Sequence, residues 1–267
     1  MHPMLNIAIR AARNAGNVIT RAYEDFDKVE AEQKGLNDFV TNVDRDAERA
    51  IIAAIRKAYP EHTIIGEESG TDVGTDNDFQ WIIDPLDGTT NFLKRIPHFS
   101  VSVALQVKGR VEVGVVYDPI NNELFSACRG QGAQLNSQRI RVASHRDIKG
   151  TLLGTGFPFK ARQHADTYMT IFADLFADVA DMRRAGSAAL DLAYVACGRL
   201  DGFFEIGLKP WDFAAGELLV REAGGIVTDF AGGHNHGTSG NIVAGCPKVT
   251  AGLVNKMRPN LSEALQR

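Results

Sequence analysis

Two long runs of alternating side chains constrain this chain most strongly. Apolar positions recur with a period of two over residues 99–107 and again over residues 111–117, and Lys108-Gly109-Arg110 lies between them. A period of two is typical of a β-strand, and a short connection containing glycine joins antiparallel neighbours. The pattern therefore predicts a β-hairpin. A turn at residues 118–122 leads into a further strand at 123–127, which extends the hairpin into an antiparallel meander.

Helical patterns precede this meander. Apolar residues recur at helical spacing over residues 5–23 and again over residues 43–59, where Pro60 ends the second pattern. Short strand-like runs follow at residues 63–66 and 79–83. The first half of the chain is therefore predicted to be helices packed on an antiparallel sheet, an α+β arrangement.

The second half has a different rhythm. Predicted strands alternate with predicted helices, the strands at 151–155, 202–206 and 242–244 and the helices at 161–180, 188–199 and 213–222. Such alternation indicates an α/β unit. We expect an α/β protein with a soft boundary near residue 145: residues 1–145 carry the antiparallel sheet, and residues 146–267 form the α/β half. No low-complexity linker separates them, so tight packing is expected.

Composition excludes several classes of protein. The chain has 267 residues, 44% hydrophobic and 23% charged, with a net charge of −4. These values describe a globular chain without the positive field that non-specific nucleic-acid binding needs. Its three cysteines form no C-x-x-C pair, and no stretch is long and apolar enough for a membrane span. We expect a cytoplasmic protein with no membrane partner.

The most informative segment is Trp-Ile-Ile-Asp-Pro-Leu-Asp-Gly-Thr-Thr-Asn-Phe, residues 81–92. An apolar strand ends there in Asp84 and Asp87, and Pro85 between them favours convergence of the two carboxylates on one site. Crowded carboxylates favour a hard divalent cation, with Mg²⁺ the obvious candidate. Gly88 allows a close approach of the backbone, and Thr89-Thr90 could begin a helix whose free N–H groups face an anion such as phosphate. Taken alone, a plain strand-to-helix turn explains this segment equally well.

Two other acidic sites change that balance. Glu67, in Gly-Glu-Glu-Ser-Gly, follows a predicted strand, and Asp212 stands near the start of a predicted helix. Separately they fit a solvated loop and an ordinary helix cap. Together with Asp84 and Asp87 they describe an oxygen cage for two hard cations. Such a cage suggests metal-assisted hydrolysis of a phosphate monoester, with one ion activating water and the other stabilising the leaving group.

With these motifs in their order and separation, the chain resembles the inositol monophosphatase family of magnesium-dependent, lithium-sensitive phosphatases over nearly its whole length. The resemblance implies a layered α/β/α/β/α sandwich, a homodimer and a small sugar or polyol phosphate as substrate, with myo-inositol 1-phosphate foremost. It also implies roles by position. The implied metal ligands are Glu67, Asp84, Leu86 through its carbonyl, Asp87 and Asp212.

The resemblance assigns further roles around these ligands. Asp44 and Thr89 match the pair that orients the attacking water, and Glu67 is placed with them among the catalytic residues. Thr41 and Asp44 could equally form a helix-capping pair. The implied substrate contacts are Asp87, Gly88, Thr89, Arg183, Ala188, Glu205 and Asp212. Either Arg183 or its neighbour Arg184 could reach the ligand, and solvated surface charge explains this arginine pair equally well.

Alternative functions remain open. Fructose 1,6-bisphosphate and nucleotide 3'-phosphates are substrates of relatives with the same metal cage. A haloacid-dehalogenase-type phosphatase is disfavoured, because its two Asp residues are two positions apart whereas Asp84 and Asp87 are three apart. The resemblance also links the chain to RNA polymerase and ribosomal RNA antitermination factors, as a binding module. Only small basic spots could serve such partners, and surface charge is their default explanation: Lys94-Arg95, Arg139 with Arg141, and Arg183-Arg184.

Overall fold

The computed structural model describes residues 3–35 and 38–266 and contains a mixture of helices and strands. The α-helices are α1 (Pro3–Glu24), α2 (Asn42–Ala58), α3 (Thr89–Leu93), α4 (Ala165–Phe176), α5 (Ala188–Ala196), α6 (Pro210–Glu222), α7 (His236–Ser239) and α8 (Pro247–Met257). The strands are β1 (Ala31–Gly35), β2 (Asp38–Thr41), β3 (His62–Gly66), β4 (Gly70–Asp72), β5 (Asp76–Asp87), β6 (Ser100–Val107), β7 (Arg110–Asp118), β8 (Glu123–Cys128), β9 (Gly132–Leu135), β10 (Gln138–Arg139), β11 (Leu152–Thr155), β12 (Asp181–Arg183), β13 (Gly202–Glu205), β14 (Ile226–Thr228) and β15 (Ile242–Gly245).

The predicted hairpin is confirmed as β6 and β7, which pair antiparallel with Val107 opposite Arg110. Lys108 and Gly109, the two residues between them, both have positive φ angles, 49° and 80°. This geometry is typical of the two-residue turns whose twist matches that of the flanking strands. The predicted helices of the first half are confirmed as α1 and α2, each burying an apolar stripe.

The hairpin lies inside a sheet of eight strands in the order β10-β9-β8-β7-β6-β5-β3-β4. The predicted meander is correct for β6, β7 and β8, but β3 runs parallel to β5. The reason is that β4 folds back on the outer edge of β3, so the returning chain enters β5 in the direction of β3. This arrangement brings the end of β3 beside the end of β5.

A second sheet of five strands has the order β12-β11-β13-β15-β14. Its first three strands are parallel, and β15 is antiparallel to both of its neighbours. The crossover helices of the α/β half cover its faces, as the alternating pattern predicts.

Five layers result, and the alternation of side chains explains them. In β13, Phe203 packs with α5, α6 and the large sheet, whereas its neighbour Phe204 packs on the other side with α4 and α8. In β5, Ile82 faces α5 and α6, whereas Ile83 faces α1 and α2. Helices α1 and α2, the large sheet, α5 and α6, the small sheet, and α4 with α8 therefore form the predicted α/β/α/β/α sandwich.

The structure also contains elements that the sequence patterns did not predict. The polar stretch after α1 forms the hairpin of β1 and β2, and α8 follows the last strand. The helix predicted at 161–180 is shorter, because α4 ends at Phe176 and the chain enters the edge strand β12. None of the helices in the described ranges is both long and apolar enough to span a bilayer. The division of the chain near residue 145 stays a prediction.

Candidate active site

A β-bulge brings the two carboxylates of the central motif to one face of the sheet. Asp84 pairs with Ser102 and Asp87 with Ser100, so two residues of β5 stand opposite one residue of β6. In a regular strand, residues three apart point to opposite faces. The extra residue restores the parity, because Ser100 and Ser102 share a face. Asp84 also accepts a hydrogen bond from the N–H of Leu86 at 2.9 Å, which stabilises the turn.

Asp87 is held by the second half of the chain. Its Oδ2 accepts hydrogen bonds from the hydroxyl of Ser187 at 2.7 Å and from the N–H of Ala189 at 2.8 Å. Both donors lie at the N-terminus of α5, where the first turn has unpaired N–H groups. The two halves of the chain therefore share this carboxylate.

Asp212 lies in the first turn of α6, which begins at Pro210, three residues earlier than predicted. Its Oδ2 accepts a hydrogen bond from the N–H of Lys209 at 2.7 Å. This bond is the carboxylate half of a capping box. The other carboxylate oxygen is left for a different partner.

All five residues predicted as metal ligands line one cavity of about 490 Å³, together with Gly88 and Thr89. The five are Glu67, Asp84, Leu86, Asp87 and Asp212. Across residues 3–35 and 38–266, no three acidic, His or Cys side chains are drawn into a compact metal-binding group. The carboxylates thus line one cavity, and hydrogen bonds hold three of them, Asp84, Asp87 and Asp212, in place.

The electrostatics of this cavity disfavour ionised carboxylates without a cation beside them. Burial raises the pKa of Asp84 well above its usual value, and the nearby Glu67, Asp87 and Asp212 raise it further. Burial also raises the pKa of Asp87 to about 6, against the hydrogen bonds from Ser187 and Ala189. The pKa of Asp212 is raised to about 7 by burial and then by Asp87. A cation among these groups would relieve the repulsion.

The donor set fits a hard divalent cation. Carboxylate oxygens and a backbone carbonyl are the ligands that Mg²⁺ and Ca²⁺ prefer. The carbonyl of Leu86 accepts a hydrogen bond from Thr89 Oγ1 at 3.1 Å and keeps a second lone pair for another partner. The buried side chain of Leu86 leaves only its backbone oxygen to act, which explains an apolar residue at this position.

The predicted pair of Asp44 and Thr89 is in contact. Thr89 Oγ1 lies 2.9 Å from Asp44 Oδ1, and Asp44 is 1% exposed. Asp44 also accepts a hydrogen bond from the N–H of Thr41 at 2.9 Å, within a capping box at the start of α2. Burial raises the pKa of Asp44. The capping geometry and the contact with Thr89 are therefore both present, so the two interpretations do not exclude each other.

Gly88 forms the sharp turn between β5 and α3. Its φ angle is 100°, and a Cβ there would lie 3.1 Å from the carbonyl oxygen of His98. Only glycine adopts this conformation at low cost and leaves room for the neighbouring backbone. Thr89 begins the five-residue helix α3, so the first N–H groups of that helix have no partner within it.

Glu48 is a buried carboxylate that the sequence patterns did not identify. It lies on α2, is 4% exposed, and accepts a hydrogen bond from the N–H of Glu68 at 3.1 Å. A Cβ at Gly66 would lie 2.2 Å from its Oε1. Glu48 thus holds the loop that carries Glu67. The sequence signal that could have identified Glu48 is an acidic residue among the apolar positions of α2.

A second cavity of about 490 Å³ shares Asp87 and Asp212 with the first. It also contains the predicted substrate contacts Ala188 and Glu205 and the buried Asp191, which the sequence patterns missed. Burial raises the pKa of Glu205 well above its usual value, and Asp191 raises it further.

Of the two arginines that could reach the ligand, only one lines the cavities. Arg183 lies on the edge strand β12, forms an ion pair with Asp181, and does not line either cavity. Arg184 lines both. Its guanidinium lies 5.6 Å from the ring centre of Phe157 and 5.2 Å from that of Phe159. Arg184 follows the last residue of β12. Two adjacent arginines in a sequence do not show which of them faces a cavity that distant elements form.

The other basic spots are partly occupied within the chain. Arg95 stacks on the rings of Tyr23 and Phe26 at 4.9 and 5.0 Å. Arg141 donates to the carbonyl of Ile140 at 3.1 Å. These contacts favour a structural interpretation of both residues.

The fold and the shared cavity define a class of protein: a layered α/β sandwich with a cavity that is lined by oxygen ligands of the kind that bind metals. Residues 1–263 match the model of the inositol monophosphatase family. The chain belongs to this family.

Individual relatives agree with this assignment. The chain is 68% identical to the Nus factor SuhB of Escherichia coli K12, over all of both chains. Its structure is similar to that of the extragenic suppressor protein suhB from Bartonella henselae, with a TM-score of 0.94 and 43% identity over 97% of this chain and 99% of that one. It is also similar to the inositol monophosphatase of Anabaena, with a TM-score of 0.86 and 38% identity over 96% and 95% of the two chains.

Proposed function

We propose that this protein is a Mg²⁺-dependent phosphatase that hydrolyses myo-inositol 1-phosphate. The observation that carries the proposal is the single cavity lined by four acidic side chains and the carbonyl of Leu86, beside the free N–H groups of α3. Oxygen ligands of this kind suit Mg²⁺. When bound, Mg²⁺ would supply charge neutralisation and a lowered pKa of water.

The residues of the chain have separable roles in this proposal. Glu67, Asp84, Asp87, Asp212 and the Leu86 carbonyl hold the metal. Thr89, bonded to the buried Asp44, accepts a hydrogen bond from the attacking water and orients it.

Substrate contacts complete the proposed site. The N–H groups of Gly88 and Thr89 bind the phosphate. Ala188 and Glu205 line the space for the inositol ring, where Arg184 takes the place that we predicted for Arg183. Asp87 and Asp212 line both cavities, so they lie between phosphate and ring.

A substrate screen tests the proposal directly. Purified protein is assayed against inositol 1-phosphate, fructose 1,6-bisphosphate and adenosine 3',5'-bisphosphate, with Mg²⁺ and with added Li⁺. We expect inositol 1-phosphate to give the highest kcat/KM and Li⁺ to inhibit. Preference for either bisphosphate would assign the protein to the alternative substrate class of the same fold.

A second role is proposed because relatives at 68% identity are named Nus factors. We propose that the chain also binds RNA polymerase and antitermination factors as a homodimer. Asp87→Asn separates the roles: phosphatase activity falls at least 10³-fold, while co-purification with RNA polymerase is retained. Full activity of this variant in a clean preparation would refute the metal assignment, and loss of both properties would refute their separation.

A further inference from the structure

Asp191 is a buried carboxyl that the proposed chemistry does not use. It lies on α5, is 2% exposed, and lines the second cavity with Glu205. Its Oδ1 is buried without a hydrogen-bond partner among the described residues. Buried polar atoms are nearly always paired, so an unpaired one needs an explanation such as a ligand group.

The surrounding helix offers no partner for this carboxyl. The residues of α5 around Asp191 are buried and apolar: Ala188, Ala189, Leu190, Leu192 and Ala193. Ser187 stands four residues earlier, on the same helical face, but its hydroxyl is donated to Asp87. Burying an acidic side chain in so apolar a helix costs free energy unless its polar atoms are hydrogen-bonded.

Two glycines border the pair of carboxyls. A Cβ at Gly154 would lie 3.4 Å from Asp191 Cγ, and a Cβ at Gly156 would lie 1.9 Å from Glu205 Oε1. Gly154 lies in β11, and Gly156 follows the last residue of that strand. The absence of a side chain at Gly156 leaves the Glu205 carboxyl its position beside the cavity, while the Asp191 carboxyl lies within ordinary contact distance of Gly154.

The pair of carboxyls, Asp191 and Glu205, favours hydroxyl groups as ligands. Burial raises the pKa of Asp191 and of Glu205, and a neutral carboxyl both donates and accepts hydrogen bonds. A divalent cation would need six or more oxygen ligands, and the nearby hydroxyl of Thr155 is already bonded to Tyr168 at 2.9 Å.

We propose that Asp191 is a specificity-determining residue that, together with Glu205, forms hydrogen bonds with ring hydroxyls of a polyol phosphate. This inference rests on the proposed phosphatase function and adds a second polar contact to its substrate cavity. A pair of contacts discriminates more strongly than one, because a ligand without hydroxyls leaves both carboxyls unpaired.

The test compares a substrate rich in hydroxyls with one that has none. Kinetics are measured on myo-inositol 1-phosphate and p-nitrophenyl phosphate for wild type, Asp191→Asn and Asp191→Leu. We expect Asp191→Leu to lower the ratio of kcat/KM for the inositol ester over the aryl ester at least tenfold, mainly through the KM of the inositol ester. Asp191→Asn, which keeps a donor and an acceptor, should lower it about threefold or less.

Asp201→Asn is the matched control. Asp201 accepts hydrogen bonds from His145 and Leu152 and does not line the cavity, so the ratio should stay at the wild-type value. An equal loss on both substrates, or no change in the ratio for Asp191→Leu, would overturn the inference. Wild type that hydrolyses only the aryl ester would contradict the inference but leave a phosphatase. Wild type inactive on both would remove the proposed function itself.

Discussion

At the scale of single residues, the hydroxyl of Thr89 joins three parts of the site. Its oxygen lies 2.9 Å from Asp44 on α2 and 3.1 Å from the carbonyl of Leu86 on β5. A hydroxyl has one hydrogen and two lone pairs. Because both neighbours are acceptors, the hydrogen is used within the protein, and the lone pairs remain for a donor such as water.

We therefore expect Thr89→Ala to lower kcat by about 10²-fold to 10³-fold, since a group that orients a proton transfer contributes in this range. Thr89→Ser keeps the hydroxyl and should retain activity within about tenfold of wild type. Steady-state kinetics on inositol 1-phosphate measure both. Equal losses in the two variants would show that the methyl group, and hence packing, is what matters.

Gly156 offers a second residue-scale test. In Gly156→Ala the new methyl would overlap Glu205 Oε1 at 1.9 Å and push this carboxyl from its position. We expect the KM for inositol 1-phosphate to rise about tenfold, which corresponds to a loss of about 1.4 kcal/mol in binding free energy. Gly237 also lines the cavity, but a Cβ there meets nothing within 4 Å. Gly237→Ala is therefore the control, and an equal rise in its KM would count against a specific effect on Glu205.

At the scale of elements, the start of α5 couples the two halves of the chain. Ser187 is 1% exposed. It is the N-cap of α5 and donates to Asp87, at the end of β5, at 2.7 Å. One side chain therefore both caps a helix and sets the orientation of a carboxylate in the other half.

Ser187→Ala should lower the free energy of unfolding by about 1 to 2 kcal/mol, because it removes a cap and a hydrogen bond to a carboxyl group. Urea denaturation measures the loss. Thr170→Ala is the control, since the hydroxyl of Thr170 donates to the backbone carbonyl of Asp166 on an exposed face of α4. This variant should change the free energy of unfolding by less than about 0.5 kcal/mol. A loss as large in the control would indicate a general sensitivity to hydroxyl removal.

At the scale of the whole molecule, the acidic cavity ties stability to pH and to metal. The pKa values of Asp87 and Asp212 rise from 3.8 to about 6 and about 7 on folding. The folded chain then binds protons that the unfolded chain releases. These groups therefore lower stability as pH rises from about 4 to about 7. Mg²⁺ binds the ionised groups and opposes this loss.

For protein treated with a chelator, we expect the Tm to fall between pH 5 and pH 8. Mg²⁺ at a hundred times its Kd should raise the Tm at pH 8 by about 5 to 10 °C, since such binding stabilises by about 2.7 kcal/mol. The rise should be smaller at pH 5. In the double variant Asp87→Asn, Asp212→Asn, the fall of Tm with pH and the rise of Tm with Mg²⁺ should both be smaller. A Tm rise with Mg²⁺ that this double variant keeps would place the cation elsewhere.

Much of the fold was predictable because its signals are local. The alternation in β6 and β7, the helical spacing in α1 and α2, and the change of rhythm in the second half all report which face of an element is buried. The edge strand β12 and the polar hairpin of β1 and β2 were missed, because an exposed strand has no apolar period to detect.

By itself the sequence determined the long helices and the central strands, the five-layer order implied by the family, and which carboxylates stand at the ends of these elements. Only the tertiary structure decided how these groups meet. The bulge in β5 turns Asp84 and Asp87 to one face. The chain after β12 places Arg184, and not Arg183, at the cavities. Asp191 on α5 lines a cavity near β11. The physical reason is range: periodicity and capping act within a few residues, whereas a cavity forms between elements that are distant along the chain.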